Sequence, residues 1–340
     1  MSSRERRNLV LCALIFVAAA LLPLTGSGYW LSIGVSFAMY TVLATAWMLF
    51  SGPTNYISLA PAAFFGIGMY IVASGLDVLP YPALIVAAAI AGAVVAFVAG
   101  LATLRISGVY FVIFTLGMAE LIRQIVSWGQ ATMGSQAGLY VLTDMTDQRL
   151  YWLLLGLAAA VYLVGWWIGR SRLGFALRII GNDEVVAIHS GINTARAKVV
   201  LFVISSTFMA MTGAMVAPRW SYVEPTIAFS PFISFQVVIM ALLGGVHRLW
   251  GPLVGVIPFT MLWELINAHF PAQTTLLLGV AFLLIVYLIP NGIVGLIEDI
   301  AGRRGRGLAP LRNLLQPRRD GLAGSVRGML QRGKSGDVRQ

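Results

Sequence analysis

Charged residues are scarce in this chain of 340 residues. Asp, Glu, Lys and Arg make up 11% of it and hydrophobic residues 59%, whereas an ordinary soluble domain has about 25% charged residues. This balance excludes a water-soluble globular protein. Apolar runs of about 18 to 25 residues recur from residue 8 to residue 290, each long enough to cross a hydrocarbon core of roughly 30 Å. The sequence therefore predicts an all-α integral membrane protein.

Cysteine and histidine are also rare, which removes the usual metal ligands and nucleophiles. The one cysteine, Cys12, lies inside the first apolar run, so no internal disulfide is possible. His189, His247 and His269 are far apart and lack the H-E-x-x-H spacing of a zinc site, and no G-x-S-x-G nucleophile motif occurs. We predict no catalytic residue, no metal and no cofactor in this chain. An integral-membrane enzyme would need a cluster of catalytic side chains around one cavity.

One stretch near the C-terminus, GMLQRGKS at residues 328–335, matches the phosphate-binding pattern G-x-x-x-x-G-K-[ST]. The motif binds phosphate only where its glycine loop joins a buried strand to the N-terminus of a helix. Here a mixture of Gly, Ser and Arg precedes it, and residues 336–340 are too few for the helix. The match is therefore predicted to be fortuitous.

The net charge of +10 comes mostly from one segment, because residues 301–340 contain ten Lys or Arg and two Asp. A basic segment beside a membrane is attracted to anionic lipid headgroups and marks the cytoplasmic side. It has no aromatic residue on which a nucleic-acid base could stack. Residues 297–340 are predicted to be a disordered cytoplasmic tail, and no nucleic acid is expected as a partner.

Hydropathy divides the rest of the chain into ten predicted membrane spans. They cover residues 8–24, 30–50, 56–75, 82–104, 108–128, 150–169, 198–217, 231–249, 252–268 and 273–290. The first run is retained, because residues 23–30 lack the small-x-small pattern of signal-peptide cleavage. Three arginines before residue 8 place the N-terminus inside, and alternate crossings bring Arg105, Arg170 and Arg248 to the same side. Both termini are predicted to be cytoplasmic.

Ten spans divide into two halves of five. Because five is odd, the second half enters the membrane in the opposite orientation to the first, which predicts an inverted repeat. In such folds the pathway lies between the halves, where Gly or Pro interrupts helices. Residues 51–68 and 243–255 qualify, and the span 56–75 is expected to be broken or re-entrant around Gly66, Gly68 and Gly75. Close helix packing is the alternative role for any of these glycines.

Ionisable residues at membrane depth are costly and therefore informative. Glu120 and Arg123 stand three residues apart on span five and share a helix face. We predict a structural ion pair near the outer interface, with a gate as the alternative. Glu264 stands near the outer end of span nine, and no series of Asp, Glu or His crosses the bilayer. A proton-coupled carrier is therefore disfavoured, whereas sodium coupling through backbone carbonyls stays open.

Residues 170–197 form the one long polar segment between spans. Asn182 or Asp183 is suited to cap a short helix that follows. The apolar positions expected to give this helix a face to bury are Val185, Ile188 and Ile192. From these residues alone, a helix lying at the membrane interface and a helix that docks another protein are both open.

Four motifs in order resemble those of one transporter family. They are SL and AAFFGIGxY within residues 58–70, LRISGVYF running on through TL to ELIR at residues 104–123, the segment 174–198, and LGG with GPxxG at residues 243–255. Over residues 30–296 the chain resembles the permeases of branched-chain amino acid ABC transporters, of the LivM type. It departs from them at Ala60 and Pro61, where a Gly-His pair is usual, at Phe175 in place of Arg, and in the order of Asn182 and Asp183.

The resemblance implies a permease subunit of an ABC importer in the bacterial inner membrane. The implied partners are a second permease subunit in a heterodimer, two cytoplasmic ATPase subunits that bind ATP and Mg, a periplasmic solute-binding protein, and membrane lipids. The implied cargo is a small polar solute, foremost a branched-chain or other amino acid. Urea, short amides and aromatic acids are cargoes of close relatives. The alternative is a stand-alone secondary carrier or channel for urea or short amides.

The resemblance also implies site residues. Within a permease domain of residues 1–296, segment 170–197 would be a cytoplasmic coupling loop that receives the motion of the ATPases. Its implied coupling residues are Gly174, Arg178, Asp183, Glu184, Gly191 and Asn193. Candidates for lining the pathway are Asn55, Ser58, Phe64, Gly66, Gly68, Tyr110, Thr115, Gly244 and Gly245.

Overall fold

The computed structural model describes residues 16, 19–21, 23, 28–103, 108–132, 138–246, 248–288 and 292–295. Cys12, Arg105, His247 and most of the first predicted span lie outside the described residues. So does the basic tail with its phosphate-motif match. What the sequence predicts for these parts stays a prediction.

The described chain is almost entirely helical. Its helices are α1 (Gly28–Thr54), α2 (Pro61–Gly75), α3 (Tyr81–Thr103), α4 (Val109–Thr132), α5 (Asp147–Arg170), α6 (Arg172–Asn182), α7 (Glu184–His189), α8 (Thr194–Val216), α9 (Pro225–Ala228), α10 (Pro231–Gly244), α11 (Gly251–His269) and α12 (Thr274–Leu288). Two short strands, β1 (Leu139–Tyr140) and β2 (Tyr222–Val223), pair antiparallel. Proline begins α2, α9 and α10, because its missing N–H is needed least in a first helical turn.

Seven helices of the described residues are long and apolar enough to cross a membrane. They are Gly28–Thr54, Tyr81–Ala102, Val109–Thr132, Asp147–Arg170, Thr194–Arg219, Pro225–Gly244 and Gly251–His269. They coincide with the second predicted span and the fourth to ninth, as expected of an all-α membrane protein. The count of ten spans and the inverted repeat stay predictions.

The third predicted span is interrupted, but not where its glycines stand. Helix α2 runs unbroken through Gly66 and Gly68 and begins only at Pro61, after residues 55–60, which are not helical. Asn55 at the start of this segment has a φ of +57°, a left-handed conformation that asparagine tolerates better than most residues. A break at Gly66 or Gly68 is therefore wrong, because the flanking helix packing holds these glycines in helical conformation.

Helix α8 lies at the centre of the bundle and packs against α1, α2 and α3. A Cβ atom added at Gly68 of α2 would overlap the Ala210 carbonyl oxygen of α8, and one added at Gly213 of α8 would overlap the Phe65 carbonyl oxygen of α2. Lipid tails are as apolar as side chains, so helices in a membrane associate through such close packing. The two glycines therefore set the distance between α2 and α8.

Contacts near the helix ends define two ends of the bundle. At the ribbon end, named after β1 and β2, the Tyr81 hydroxyl donates to the Met215 carbonyl at 3.0 Å. At the loop end, which contains α6 and α7, the Asn55 amide donates to the Gly181 carbonyl at 2.8 Å. Each contact joins two residues that the predicted crossings place on one side. Which end faces the cytoplasm stays a prediction.

Candidate coupling site

The loop end contains two capped helices, α6 and α7, where the sequence predicts only one. The Ser171 hydroxyl accepts a hydrogen bond from the Gly174 N–H at 3.3 Å and caps α6. The Asp183 carboxylate accepts from the N–H groups of Val185 at 2.8 Å and Val186 at 3.2 Å. Of the two predicted caps of α7, Asp183 occupies the position. These bonds satisfy amide donors that a helix start otherwise leaves unpaired.

A sharp turn joins α7 to α8. Gly191 adopts a φ of +77°, which glycine reaches without steric strain, and the Ile192 N–H then bonds back to the Ala187 carbonyl at 3.1 Å. The Asn193 side chain accepts from the Arg196 N–H at 3.0 Å and caps α8. Four of the implied coupling residues, Asp183, Glu184, Gly191 and Asn193, therefore lie at the start of α7 or in its turn into α8.

Three of the exposed side chains of α7 are apolar, and its last residue, His189, is exposed as well. Val185, Val186 and Ile188 are 61%, 53% and 56% exposed, and Phe175 of α6 is 68% exposed. We call these four residues the apolar patch. Val185 and Ile188 are two of the residues predicted to give α7 a face to bury, and they stay exposed in the single chain, where the helix packs inward through Ala187. What covers this face stays a prediction.

A buried cation joins α7 to the rest of the bundle. Lys198 of α8 is 1% exposed, and its Nζ donates to Glu184 Oε1 at 2.5 Å and to the Tyr56 hydroxyl at 3.0 Å. The same ammonium lies 4.2 Å from the centre of the Tyr56 ring, an arrangement in which ring and cation attract. The Tyr56 hydroxyl in turn donates to Glu184 Oε2 at 3.3 Å. We call Tyr56, Glu184 and Lys198 the Lys198 cluster.

The Lys198 cluster ends on the non-helical segment 55–60, which side chains of three helices hold in place. Trp47 Nε1 of α1 donates to the Ser58 carbonyl at 2.7 Å. Thr115 Oγ1 of α4 accepts from the Leu59 N–H at 2.9 Å, and Ser234 Oγ of α10 donates to the Leu59 carbonyl at 2.9 Å. Non-helical backbone at membrane depth requires such partners, because lipid offers none.

Replacing Thr115 with valine is expected to destabilise the protein by about 1–3 kcal/mol, because the buried Leu59 N–H loses its partner at nearly constant side-chain volume. The measurement is the thermal unfolding of the detergent-solubilised protein. Thr132→Val is the matched control: it lies on the same helix, is exposed, and its hydroxyl bonds only carbonyls of its own helix. Equal losses in the two variants would contradict this account of segment 55–60.

A cleft of about 660 Å³ opens at the loop end between α1, α5 and α6. Its lining includes Gly52, Asn55, Arg178, Gly181 and Leu249. The bond between Asn55 and Gly181 crosses one rim of this cleft. Within the described residues, no three His, Cys, Asp or Glu side chains are grouped so that they could hold a metal ion.

The pathway-lining candidates are found mostly in helix contacts of the single chain. Phe64 is fully buried and packs edge-on against Phe202. A Cβ added at Gly66 would overlap the Phe229 ring, and one added at Gly244 would overlap the backbone of Gly251. Gly245 ends α10 with a φ of +104°.

The other pathway-lining candidates differ in exposure. Ser58 and Thr115 are buried, Asn55 is exposed, and Tyr110 is 74% exposed. Their part in a pathway stays a prediction.

Glu120 and Arg123 form an ion pair on α4. Arg123 Nε donates to Glu120 Oε2 at 2.8 Å, Arg123 Nη2 contacts Glu120 Oε1, and Gln124 adds a bond to that oxygen at 3.0 Å. The pair lies midway along the helix and not near its outer end, since α4 continues to Thr132. A gating role stays a prediction.

Tyr56, Lys198 and Ser234 are important in this site, yet none is among the site residues chosen from the sequence. Lys198 has a signal that could have revealed it: an ionisable residue at the start of an apolar span needs a partner. Tyr56 and Ser234 have none, because only the packed bundle brings Tyr56 beside Lys198 and Ser234 beside Leu59.

Comparison with known proteins identifies relatives along most of the chain. The family model described as the permease component of branched-chain amino acid transport systems matches residues 29–289. The chain is 25% identical to the permease protein LivM of Salmonella typhimurium over 86% of this chain and 76% of LivM. It is 27% identical to LivH of the same organism over 49% of this chain, which spans about half (53%) of LivH. A ribose import permease, RbsC of Haemophilus influenzae, is 29% identical over 32% of the chain and 35% of RbsC.

Proposed function

The chain belongs to the family of permease components of branched-chain amino acid transport systems, and from this premise we propose that it is the permease subunit of an ABC importer. The importer would move a small polar solute, foremost a branched-chain or other amino acid, across the inner membrane. ATP would be hydrolysed by two partner subunits at the loop end, which would face the cytoplasm. A periplasmic solute-binding protein would deliver the solute at the ribbon end.

One observation supports this proposal most: the Lys198 cluster links an exposed helix to a buried, non-helical segment of the bundle. Helix α7 has only six residues, too few to be stable without tertiary contacts. Its outer surface is the apolar patch, and its inner side is tied to Tyr56 through Glu184 and Lys198. A force applied to α7 would reach residues 55–60 without passing through a flexible loop.

We assign the docking of an ATPase subunit to the apolar patch. Phe175, Val185, Val186 and Ile188 lie beside Arg178, Asn182 and Asp183, which are also exposed. An apolar centre with a polar rim is the usual composition of a protein interface. The ATPase surface would cover α7, and its motion on ATP binding would displace α7 against α8 and residues 55–60.

The relatives also support the choice of partners and cargo. LivM and LivH are both described as permease proteins of a high-affinity branched-chain amino acid system, so a second, related permease chain is the expected partner. RbsC is described as a ribose permease, and a solute other than an amino acid is therefore compatible with the same family. The solute-binding protein would make the selection.

The proposal predicts that the chain needs its ATPases to transport anything uphill. The assay uses proteoliposomes that contain this chain, its second permease subunit, two ATPase subunits and the solute-binding protein. They should accumulate labelled leucine only when ATP and Mg are present on the side of the membrane that the ATPase subunits face. The chain by itself should accumulate none. The measurement is retained radiolabel against time, with a non-hydrolysable ATP analogue as control.

Two outcomes would contradict the proposal. Uphill accumulation by the chain alone would indicate a stand-alone carrier. Rapid downhill flux of urea without ATP or partners would indicate a channel. If ATP-driven uptake occurs with another solute and not with leucine, the importer assignment holds and the cargo assignment fails.

A further inference from the structure

The exposed charge on α4 is incompatible with lipid contact on the face of the helix that contains it. Eleven residues precede Glu120 in α4 and twelve follow it, so its Cα lies about 17 Å from either helix end at 1.5 Å per residue. The Glu120 side chain is 50% exposed and that of Arg123 is 23% exposed. A charged residue at the bilayer centre costs about 2.5–3.5 kcal/mol even on the lower insertion scales.

Glu120 belongs to a stripe that follows one face of the helix. Gly117, Glu120, Gln124, Ser127 and Ala131 are separated by alternating steps of three and four residues, which keeps them on one side of a helix. We call them the polar stripe. The opposite face contains the residues that pack into the bundle: Phe111, Thr115, Met118 and Ala119. The polar stripe therefore points away from the chain's own core.

A second exposed face of α4 has the composition expected for lipid. Its residues are Tyr110, Phe114, Leu121, Ile125 and Trp128, between 40% and 74% exposed. Helix α3 exposes a similar surface, with Val86, Ile90 and Val94 more than half exposed. The chain therefore presents apolar side chains where lipid is expected, and from Gly117 onward α4 has two outer faces of different chemistry.

We propose that the polar stripe is the surface on which the second permease subunit packs. This inference rests on the proposed function, which requires two membrane subunits. A Cβ built at Gly117 meets no atom within 4 Å, so the stripe leaves open space beside a small residue where another helix can approach closely. The partner helix would donate hydrogen bonds to the side-chain oxygens of Glu120 and Gln124. Lipid tails cannot supply such bonds.

Site-specific photocrosslinking in the assembled importer tests the proposal. Benzoylphenylalanine would be placed at Gln124 or Ser127 of the polar stripe, and at the adjacent Ile125 or Trp128 as controls at the same depth. The stripe positions should form on the order of tenfold more adduct with the second permease subunit than the controls. Equal adducts from both faces, or adducts from the control face only, would overturn the proposal, as would no adduct from either face in an importer that transports.

A second pair of variants gives a readout that does not depend on the crosslinker. Gly117→Trp fills the space beside the stripe, and Gly156→Trp of α5 is the matched control, since Gly156 is also exposed with no atom within 4 Å of an added Cβ. Co-purification of the second permease subunit should fall on the order of tenfold with Gly117→Trp only. Unchanged co-purification would overturn the inference but leave the proposed function intact. If no second permease subunit co-purifies with the unmodified chain, the proposed function and the inference both fail.

Discussion

Replacing Glu184 with glutamine is expected to abolish ATP-driven uptake while the protein still inserts into the membrane. The change removes the carboxylate in contact with the Lys198 ammonium, which is 1% exposed, and leaves it the neutral amide oxygen of glutamine with the Tyr56 hydroxyl and ring. Removing one partner of a buried ion pair costs roughly 3–5 kcal/mol, and this is an upper bound here because the Glu184 side chain is 38% exposed. The strain is relieved by moving α7 away or by letting water reach Lys198, and either movement breaks the link to residues 55–60. The measurements are uptake of labelled solute and the amount of protein in the membrane fraction.

A double-mutant cycle separates the stability of the Lys198 cluster from its role in coupling. Glu184→Gln with Lys198→Met removes both charges, so the double variant should regain most of the thermal stability that Glu184→Gln loses. Its uptake should remain low, because no strong contact then ties α7 to Tyr56. ATP hydrolysis by the partner subunits should continue without transport. Normal uptake in Glu184→Gln, or full recovery of uptake in the double variant, would remove the coupling role from this cluster.

Replacing Gly68 or Gly213 with alanine is expected to destabilise the fold itself. In both cases the new Cβ would overlap backbone atoms of the facing helix, and backbone cannot move aside as a flexible side chain can. Overpacking a core costs typically about 1–3 kcal/mol and occasionally more, and here the α2–α8 contact lies at the centre of the bundle. We expect a lower unfolding temperature and a lower yield of monodisperse protein, measured in detergent by fluorescence-detected size exclusion on a temperature gradient.

Gly156→Ala is the control, and it should change stability in the opposite direction. Its added methyl group meets open space, and alanine is favoured over glycine within a helix by about 1 kcal/mol. The comparison also decides between two roles for Gly68, which the sequence makes a candidate for lining the pathway. If Gly68→Ala keeps full stability and loses only uptake, the packing account is wrong and the pathway role is supported.

The sequence was sufficient to predict much of the fold because helices in a membrane must be long, apolar and internally hydrogen-bonded. Pro61 and Pro231 begin helices, and Asp183 caps α7, all through local chemistry that depends on neighbouring residues alone. The break at residues 55–60 lies inside the predicted stretch 51–68 but not at Gly66 or Gly68. Glycine permits a break but does not require one, and packing against α8 and Phe229 keeps Gly66 and Gly68 helical.

The candidate site was less predictable, since its important contacts join residues far apart in the chain. Tyr56 and Lys198 are separated by 142 positions and Leu59 and Ser234 by 175, and no local pattern relates them. The apolar spacing of Val185 and Ile188 correctly indicated a helix. What covers these two side chains stays a prediction, because the neighbouring helices of the chain leave them exposed.

Composition and hydropathy by themselves determined that the chain lies in the membrane and where most of its helices run, and local capping determined that a short helix follows Asp183 in its long polar loop. These properties follow from solvation and from hydrogen bonds between near neighbours in the chain. Each segment makes these interactions independently of the rest of the fold. Tertiary structure alone decided that residues 55–60 stay unwound, that Lys198 joins them to α7, and that the charges of α4 point outward. Those features depend on which distant groups come within about 3 Å of one another, and only the packed bundle brings them there.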